Sequence, residues 1–198
     1  MRTEIQFDEA THRYTLDGKP VPSVTQIINE VLGSGFGFIA ADHGDWLKQR
    51  GRAVHHAAQL IAQGKDFEYD EQIAGQVQAL RQWYADVKPV IHRQELMLFS
   101  TMYRFAGRPD FLGAVGRVKV VGDFKGSMDV ERLTLQLGAY SILADDGYNH
   151  GIGVEIKPDG YRMTKLIDLK RARNEFLALR SVFSIRERLK LTKEQHAD

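Results

Sequence analysis

The residues with the clearest potential for chemistry are two aspartates and a lysine in the middle of the chain. Asp110 follows Gly107-Arg108-Pro109, Asp123 ends an apolar run thirteen residues later, and Lys125 comes two positions beyond it. Side chains alternate along a β-strand, so Asp123 and Lys125 are expected on one face and Phe124 in the core. If the strands that carry the two aspartates pair as a hairpin, both carboxylates and the ammonium group converge at one end of a sheet.

Paired carboxylates with few other ligands suit a hard cation such as Mg²⁺, for which Mn²⁺ is expected to substitute. Such an ion keeps several waters and takes phosphate oxygens as its remaining ligands, which indicates a phosphodiester substrate. The ion would lower the pKa of a bound water and stabilise charge on the phosphate. Lys125 would position that water or offset negative charge that develops in the transition state.

The elements expected to position these residues are helical in the first half of the chain. A small antiparallel hairpin appendage is predicted around the Asp17-Gly18 turn, and Ser23 is a suitable N-cap for the first helix. Apolar periodicity predicts two further helices, of which Gly51 would kink or divide the first. The predicted strands are 4–7, 13–16 and 19–21, and the further helices are 42–63 and 71–87.

The second half changes to strand-like patterns and ends in a long helix. The simplest arrangement is a meander of three or four strands, then a helix, a hairpin around Pro158-Asp159-Gly160, and a final helix. The predicted strands are 90–100, 102–105, 110–115, 118–124, 152–156 and 161–167, and the predicted helices are 132–144 and 169–189. We expect one domain over residues 1–198, with an appendage over 1–22, a helical part over 23–88 and a catalytic core over 89–198.

Composition limits the possible functions without selecting one. The 27 basic and 26 acidic residues give a net charge of +1, so any nucleic-acid surface must come from local segregation of charge. Residues 165–190 do segregate charge, and this basic helix is expected either to be a solvated face or to follow phosphates. The absence of cysteine excludes disulfides, thiolate metal sites and cysteine nucleophiles. No apolar run is long enough to span a bilayer, so we expect a cytoplasmic protein, in the host cytoplasm if it is phage-encoded.

The sequence resembles the PD-(D/E)XK nuclease superfamily, because Pro109-Asp110 and Asp123-Phe124-Lys125 match the motif that defines its metal site. The resemblance implies an α/β (α+β) fold with a central mixed β-sheet flanked by helices, a restriction-endonuclease-like core. Gly51-Arg52-Ala53-Val54-His55 and Gln136-Leu137-Gly138-Ala139-Tyr140 resemble helix motifs of the RecB-like branch. The start of the chain, from His12-X-Tyr14 to Thr25, resembles phage-type members of that branch. Gly126 departs from the pattern, in which many relatives carry threonine.

The resemblance assigns roles to named residues. It implies catalytic roles for Asp110, Asp123, Lys125 and Glu95. The implied metal ligands are Asp110, Asp123, His55, Glu95 and the backbone carbonyl of Phe124. The implied DNA-binding residues are Gln136, Tyr140, Arg52, Arg108 and Ser127.

Each of these features also has a purely structural interpretation. The aspartates and Lys125 could form a surface ion-pair group on a hairpin, and His55, beside His56, could be simply packed or solvated. Glu95 could be a solvent-facing charge of an apolar strand, and Gln136 and Tyr140 could be ordinary residues of an amphipathic helix.

The function expected from the sequence is that of a Mg²⁺-dependent deoxyribonuclease, most simply a DNA exonuclease of phage or bacterial recombination and repair. One alternative is a structure-specific or site-specific endonuclease of the same fold. Another, from a different class, is a DNA-binding module that has lost catalysis. DNA is the expected partner, a single-strand-binding or annealing protein is a candidate second partner, and no membrane is involved.

Overall fold

The computed structural model describes residues 4–8, 11, 13–33, 41–144 and 147–195, with the backbone alone at 41–45, 48 and 191–195. Within these residues a central mixed sheet of six strands has helices on both faces. A three-stranded antiparallel sheet near the N terminus and a two-stranded sheet complete the strands that are described. The predicted fold class is therefore confirmed. His12, which belongs to the N-terminal resemblance, lies outside the described residues.

The N-terminal sheet consists of β1 (Ile5–Asp8), β2 (Arg13–Leu16) and β3 (Lys19–Val21). Asp17 and Gly18 join β2 to β3 with φ angles of 50° and 73°, the left-handed pair that a two-residue hairpin turn requires. Tyr14, Leu16 and Val21 are buried in a small cluster that also contains Ala106. The predicted appendage is thus packed onto the rest of the protein.

Five α-helices are described, and a short 3₁₀ helix (Glu71–Ile73) precedes the third of them. The α-helices are α1 (Val24–Leu32), α2 (Ala41–Ala62), α3 (Ala74–Val87), α4 (Val130–Ala144) and α5 (Lys170–Gln195). Ser23 caps α1, and its Oγ accepts a hydrogen bond from the Gln26 N–H at 3.0 Å. Helix α2 runs unbroken through Gly51, because the burial of Val54, Ala57 and Ala58 outweighs the cost of about 1 kcal/mol for a helical glycine. No described helix has the length and apolar character needed to cross a bilayer.

The central sheet contains six strands, which are β4 (Val90–Gln94), β7 (Phe111–Val115), β8 (Val118–Lys125), β9 (His150–Lys157), β10 (Gly160–Met163) and β11 (Ile167–Asp168). Their order is β10-β9-β8-β7-β4, and β11 pairs separately with β9. Strands β8 and β9 are parallel, and α4 lies between them in sequence as the crossover; the other pairs are antiparallel.

Three strand predictions are wrong. The strand predicted over 161–167 ends at Met163, and β11 begins separately at Ile167. The run 90–100 is not one strand, because Glu95 adopts a left-handed backbone with φ of 47° that ends β4 and redirects the chain. The chain then forms β5 (Leu98–Ser100), which pairs with β6 (Phe105–Gly107) through a turn over 101–104, where a strand had been predicted. The Ser100 hydroxyl accepts the Tyr103 N–H at 3.1 Å and holds this turn. As a result β4 pairs with β7, and the simple meander is interrupted.

The two faces of the sheet support separate cores, and the alternation along β8 shows the division. Val120 and Phe124 pack with α2 and α3, whereas Val121 packs with α1, α4 and α5. Asp123 and Lys125 alternate with Phe124 and therefore lie on the α4 face. Glycine at position 153 lets α4 pack close to the sheet. A Cβ at this position would lie 2.1 Å from Leu133 Cδ2 of α4.

Candidate metal centre

The pairing of β7 with β8 brings the two aspartates together. Phe111 is the register partner of Gly122, so Asp110 and Asp123 lie at the same end of the hairpin. One oxygen of Asp110, Oδ2, accepts the backbone N–H of Phe124 at 2.6 Å. Both carboxylates are buried, with Asp110 8% exposed and Asp123 2% exposed. Their burial is inconsistent with the structural interpretation as a surface ion-pair group.

Asp123 connects the sheet to α4. The Lys125 ammonium lies 2.5 Å from Asp123 Oδ2, and the Gln136 amide donates to Asp123 Oδ1 at 3.3 Å. The same Gln136 nitrogen donates to the Tyr140 hydroxyl at 2.9 Å. The predicted face of α4 formed by Gln136 and Tyr140 therefore contacts the carboxylate site directly.

Helix α2 and the end of β4 supply the other candidate ligands. His55 Nδ1 lies 2.8 Å from Asp110 Oδ1, and potential ligand atoms of His55, Glu95 and Asp110 all lie within 4.8 Å of one another. The left-handed backbone of Glu95 also lets its N–H donate to the Asp110 carbonyl at 3.2 Å. Glu95 Oε2 in turn pairs with Arg108 Nε at 2.8 Å. Glu95 is therefore neither a strand residue nor a solvent-facing charge.

The carboxylates at this site repel one another when no cation is bound, and their pKa values show this repulsion. Burial, together with the Asp110 charge, raises the pKa of Glu95 to about 7 and that of Asp123 to about 6, although Arg108 and Lys125 act against these shifts. The Asp110 carboxylate raises the pKa of His55 to about 9 against the effect of burial. Burial would also raise the pKa of Asp110, but His55, Lys125 and the Phe124 N–H outweigh it and hold that pKa below its ordinary value. The carboxylates are thus crowded, and a cation would relieve their repulsion.

The chemistry of the clustered side chains tests whether a metal ion fits. His55, Glu95 and Asp110 offer two carboxylates and one imidazole within 4.8 Å of one another, and the Asp123 carboxylate lies at the same end of the hairpin. In the metal-free protein the cation beside buried Asp123 Oδ2 is the Lys125 ammonium, 2.5 Å away. Carboxylate oxygens with one imidazole suit a hard divalent ion, so the residues present fit Mg²⁺ or Mn²⁺.

A cleft of about 530 Å³ opens over the site. Two of the predicted DNA-binding residues, Arg52 and Arg108, line it together with His55, Glu95 and Asp110. Ser127 is exposed in the loop after β8 and is not among the residues that line this cleft. A side chain at Gly126 would meet open space, so its departure from the threonine of many relatives is not imposed by packing.

Sequence reasoning missed three residues around the site. His56 and Gln59 line the cleft from α2, where the polar set Arg52, His56 and Gln59 recurs every three or four residues and would have indicated a shared face. Glu155 is 3% exposed on β9, in register with Lys125, and accepts the Met128 N–H at 3.2 Å. It thereby fixes the loop that follows Lys125, and no local pattern pointed to it.

The basic helix α5 makes mainly structural contacts. Arg173, Arg180 and Arg186 donate to the backbone carbonyls of Tyr148, Tyr103 and Glu30, respectively. These contacts join α5 to the turns and helix ends that it crosses, which favours the structural interpretation of its charge. Binding of phosphates by α5 stays a prediction.

The shifted pKa values predict how the stability of the metal-free protein depends on pH. Glu95, Asp123 and His55 all have raised pKa values, so each stabilises the fold at low pH and loses that contribution as the pH rises through about 7, 6 and 9, respectively. Asp110, whose pKa is lowered, loses its contribution only in acid. We expect the Tm in EDTA to fall between pH 6 and pH 9. Mg²⁺ should raise the Tm by an increment that grows with pH, as measured by differential scanning calorimetry.

The variant Asp66→Asn is a control for this measurement, because Asp66 is exposed and lies outside the site. Its Tm should follow the wild-type dependence on both pH and Mg²⁺. A Mg²⁺ increment that is the same at pH 6 and pH 9 would show that the ion does not bind at the titrating group.

Comparison with known proteins finds similarity among solved structures, at low sequence identity. No protein-family model and no curated protein matches the chain. Among solved structures it is similar to the alkaline exonuclease LHK-Exo from Laribacter hongkongensis, with 13% identity over 88% of this chain and 92% of that chain and a TM-score of 0.47. The complex of LHK-Exo with dAMP gives 12% identity, 89% and 93% coverage and a TM-score of 0.49. SSO0001 gives 16% identity, 79% and 83% coverage and a TM-score of 0.32. At this level of similarity, function must be argued from the residues of this chain.

Proposed function

We propose that this protein is a Mg²⁺-dependent deoxyribonuclease that acts as an exonuclease. The observation that carries the proposal is the cluster of His55, Glu95 and Asp110 in an open cleft that Arg52 and Arg108 also line. The Asp123–Lys125 ion pair lies at the same end of the hairpin as Asp110. Buried carboxylates around a cation site, with a lysine in contact, suit the hydrolysis of a phosphodiester.

The ligands of the proposed ion are Asp110, Asp123, Glu95, His55 and the backbone carbonyl of Phe124. When bound there, the ion would supply positive charge to the phosphate oxygens and make a water molecule more acidic. His55 must be neutral to act as a ligand, and its pKa of about 9 means that it is protonated at neutral pH in the metal-free protein. Metal binding is therefore coupled to loss of the His55 proton and should strengthen as the pH rises.

Lys125 is the proposed cationic group for the reacting phosphate. Burial acts to lower its pKa, but the charges of Asp123 and Asp110 raise it above the ordinary value, so the side chain is an ammonium ion at working pH. Its contact with Asp123 orients the ammonium group near the ligands, where it can donate to a phosphate oxygen or to the attacking water. Gln136 holds the other oxygen of Asp123 and limits its rotation.

DNA is the proposed substrate because the cleft combines acidic ligands with arginines. Arg52 and Arg108 would contact the phosphates on either side of the reacting one. The proposed biological setting is phage or bacterial recombination and repair, with a single-strand-binding or annealing protein as a candidate partner. The cytoplasm is the proposed compartment.

Incubation with linear DNA tests the function. Purified protein with Mg²⁺ or Mn²⁺ should release nucleotides progressively from end-labelled linear duplex DNA, and EDTA should stop the release. Activity that persists in EDTA would contradict the proposal, because every ligand described above would then be dispensable.

Covalently closed circular DNA separates the alternative functions. An exonuclease leaves the circle intact and degrades it after a nick or linearisation, whereas an endonuclease cuts it directly. A DNA-binding module would retain labelled DNA in a mobility-shift experiment without cleaving either form. Calorimetric titration with Mg²⁺ at millimolar concentration distinguishes that module from the enzyme, since the module would not bind the ion.

A further inference from the structure

A second cavity of about 340 Å³ lies next to the metal cleft. The N-terminal sheet, the start of α1, β6 and α4 form its walls, and Arg108 lines both cavities. The N-terminal sheet, which the sequence indicated only as an appendage, therefore forms part of the surroundings of the active site.

The wall of this cavity is aromatic on two sides. Phe7 and Tyr14 pack with ring centroids 4.6 Å apart and planes tilted by 37°, and Tyr140 lines the cavity from α4. Gly107 leaves room for Tyr140, because a Cβ at this position would lie 2.6 Å from Tyr140 Cε1. The hydroxyl of Tyr140 is hydrogen-bonded to Gln136, which also holds Asp123, so this wall is joined directly to the metal centre.

Tyr14 presents its hydroxyl to this cavity. The residue is 6% exposed and lines the cavity. Within the part of the chain that the structure describes, the Tyr14 hydroxyl makes no hydrogen bond, and its oxygen is not one of the fully buried atoms without a partner, so it faces the space of the cavity. Arg108 and Glu95 are close enough to act on its pKa, which burial raises, so the hydroxyl stays protonated and available as a donor. A ligand in the cavity would accept this hydrogen bond in place of water.

The charge of the cavity favours a neutral ligand over an anion. Its cation, Arg108, pairs with Glu95 and lies 5.4 Å from the centre of the Phe7 ring. Ser23 at the start of α1 already accepts the Gln26 N–H. The remaining polar groups are hydroxyls among aromatic rings, which suit stacking and hydrogen bonding of a flat heteroaromatic group.

We propose that this cavity binds the nucleobase of the terminal nucleotide whose phosphate is hydrolysed in the metal cleft. The base packs against the aromatic wall and hydrogen-bonds to Tyr14, and Arg108 lies between the base and the reacting phosphate. The proposal that the cavity binds a nucleobase is argued from the cavity alone. The proposal that this base is at the end of a DNA strand rests on the proposed function.

Binding of free nucleosides tests the cavity without catalysis. Saturation-transfer NMR in EDTA should detect 2′-deoxyadenosine and thymidine bound to the wild-type protein. Tyr14→Phe, which removes only the hydroxyl, should weaken binding by roughly fivefold, and Phe7→Ala by roughly tenfold or more. Tyr69→Phe is the matched control, because Tyr69 is 44% exposed and lies outside the cavity; its binding should equal that of wild type.

The outcomes distinguish this proposal from the nuclease proposal. Failure of both nucleosides to bind, or equal binding by wild type and both cavity variants, would overturn base binding even if DNA is cleaved. Displacement of the nucleosides by millimolar inorganic phosphate would identify an anion site and also overturn it. If the protein binds nucleosides but does not cleave DNA, the result would support base binding by the cavity and contradict the proposed nuclease function.

A DNA substrate then tests the placement at the end of the strand. For the wild-type protein, linear DNA with an abasic terminal nucleotide should have a higher KM than intact DNA and a similar kcat, because base binding adds affinity away from the reacting bond. Tyr14→Phe should reduce this difference, and Tyr69→Phe should preserve it. Equal KM values for intact and abasic ends with the wild-type protein would overturn the placement.

Discussion

Asp123→Asn should reduce Mg²⁺-dependent cleavage of linear DNA by roughly a thousandfold or more, the largest effect on activity expected in this protein. The substitution keeps the size of the side chain and removes its charge. It therefore removes a proposed ligand and also the partner of the half-buried Lys125 ammonium, which lies 2.5 Å from Asp123 Oδ2. Initial rates with end-labelled DNA at saturating Mg²⁺ measure the loss, and calorimetry shows whether the variant is folded.

Asp159→Asn is the matched control. Asp159 is exposed in the turn between β9 and β10, where asparagine before Gly160 is equally suited to the hairpin. Its activity should be that of wild type. If folded Asp123→Asn retained more than about a tenth of the wild-type rate, the carboxylate would not be a ligand of a catalytic ion.

Trp83→Ala should cost about 3–5 kcal/mol of unfolding free energy, the largest loss of stability expected from a single truncation. Trp83 is fully buried on α3, and its ring lies 5.2 Å from Phe124 and 5.7 Å from Phe111. These two residues follow Asp123 and Asp110, respectively, so the indole supports the part of the hairpin that carries the carboxylates. Urea denaturation measures the change, and Trp83→Phe gives a smaller cavity if the alanine variant does not fold.

The second tryptophan is a natural control. Trp46 is 41% exposed on α2, with Arg50 4.6 Å from its ring. Trp46→Ala should cost less than about 1 kcal/mol, the scale of an exposed cation–π contact. Equal losses at positions 46 and 83 would mean that the aromatic cluster under the hairpin does not stabilise the sheet as described.

The centre of the site could be predicted from the sequence because its geometry is local. Asp123 and Lys125 share a face through strand alternation, and Gln136 and Tyr140 share one through the helical repeat. The Asp17-Gly18 turn and the Ser23 cap are equally local, and both were confirmed. Features set by residues that are close together in the sequence could therefore be predicted without a structure.

The remaining features depend on contacts between distant segments. Nothing in the run around Glu95 indicates the left-handed backbone that ends β4, since apolar neighbours favour one continuous strand. The contact of His55 with Asp110 joins residues 55 positions apart. Tyr14 comes near the candidate metal centre only because the N-terminal sheet packs against Ala106 of β6. The role of the basic residues in α5 could not be predicted, because three of its arginines donate to backbone carbonyls of distant segments. Composition does not reveal such contacts.

Because Asp110 accepts the Phe124 N–H, Asp110 has two tasks that selection can separate. One task of Asp110 is the proposed binding of an ion, and the other is holding two neighbouring strands in register. Lys125 has no comparable bond to the backbone among its described contacts. In a lineage that abandoned catalysis, we expect Lys125 to diverge early and Asp110 to persist. An aspartate conserved at this position would then indicate a shared fold and would not by itself indicate an active enzyme.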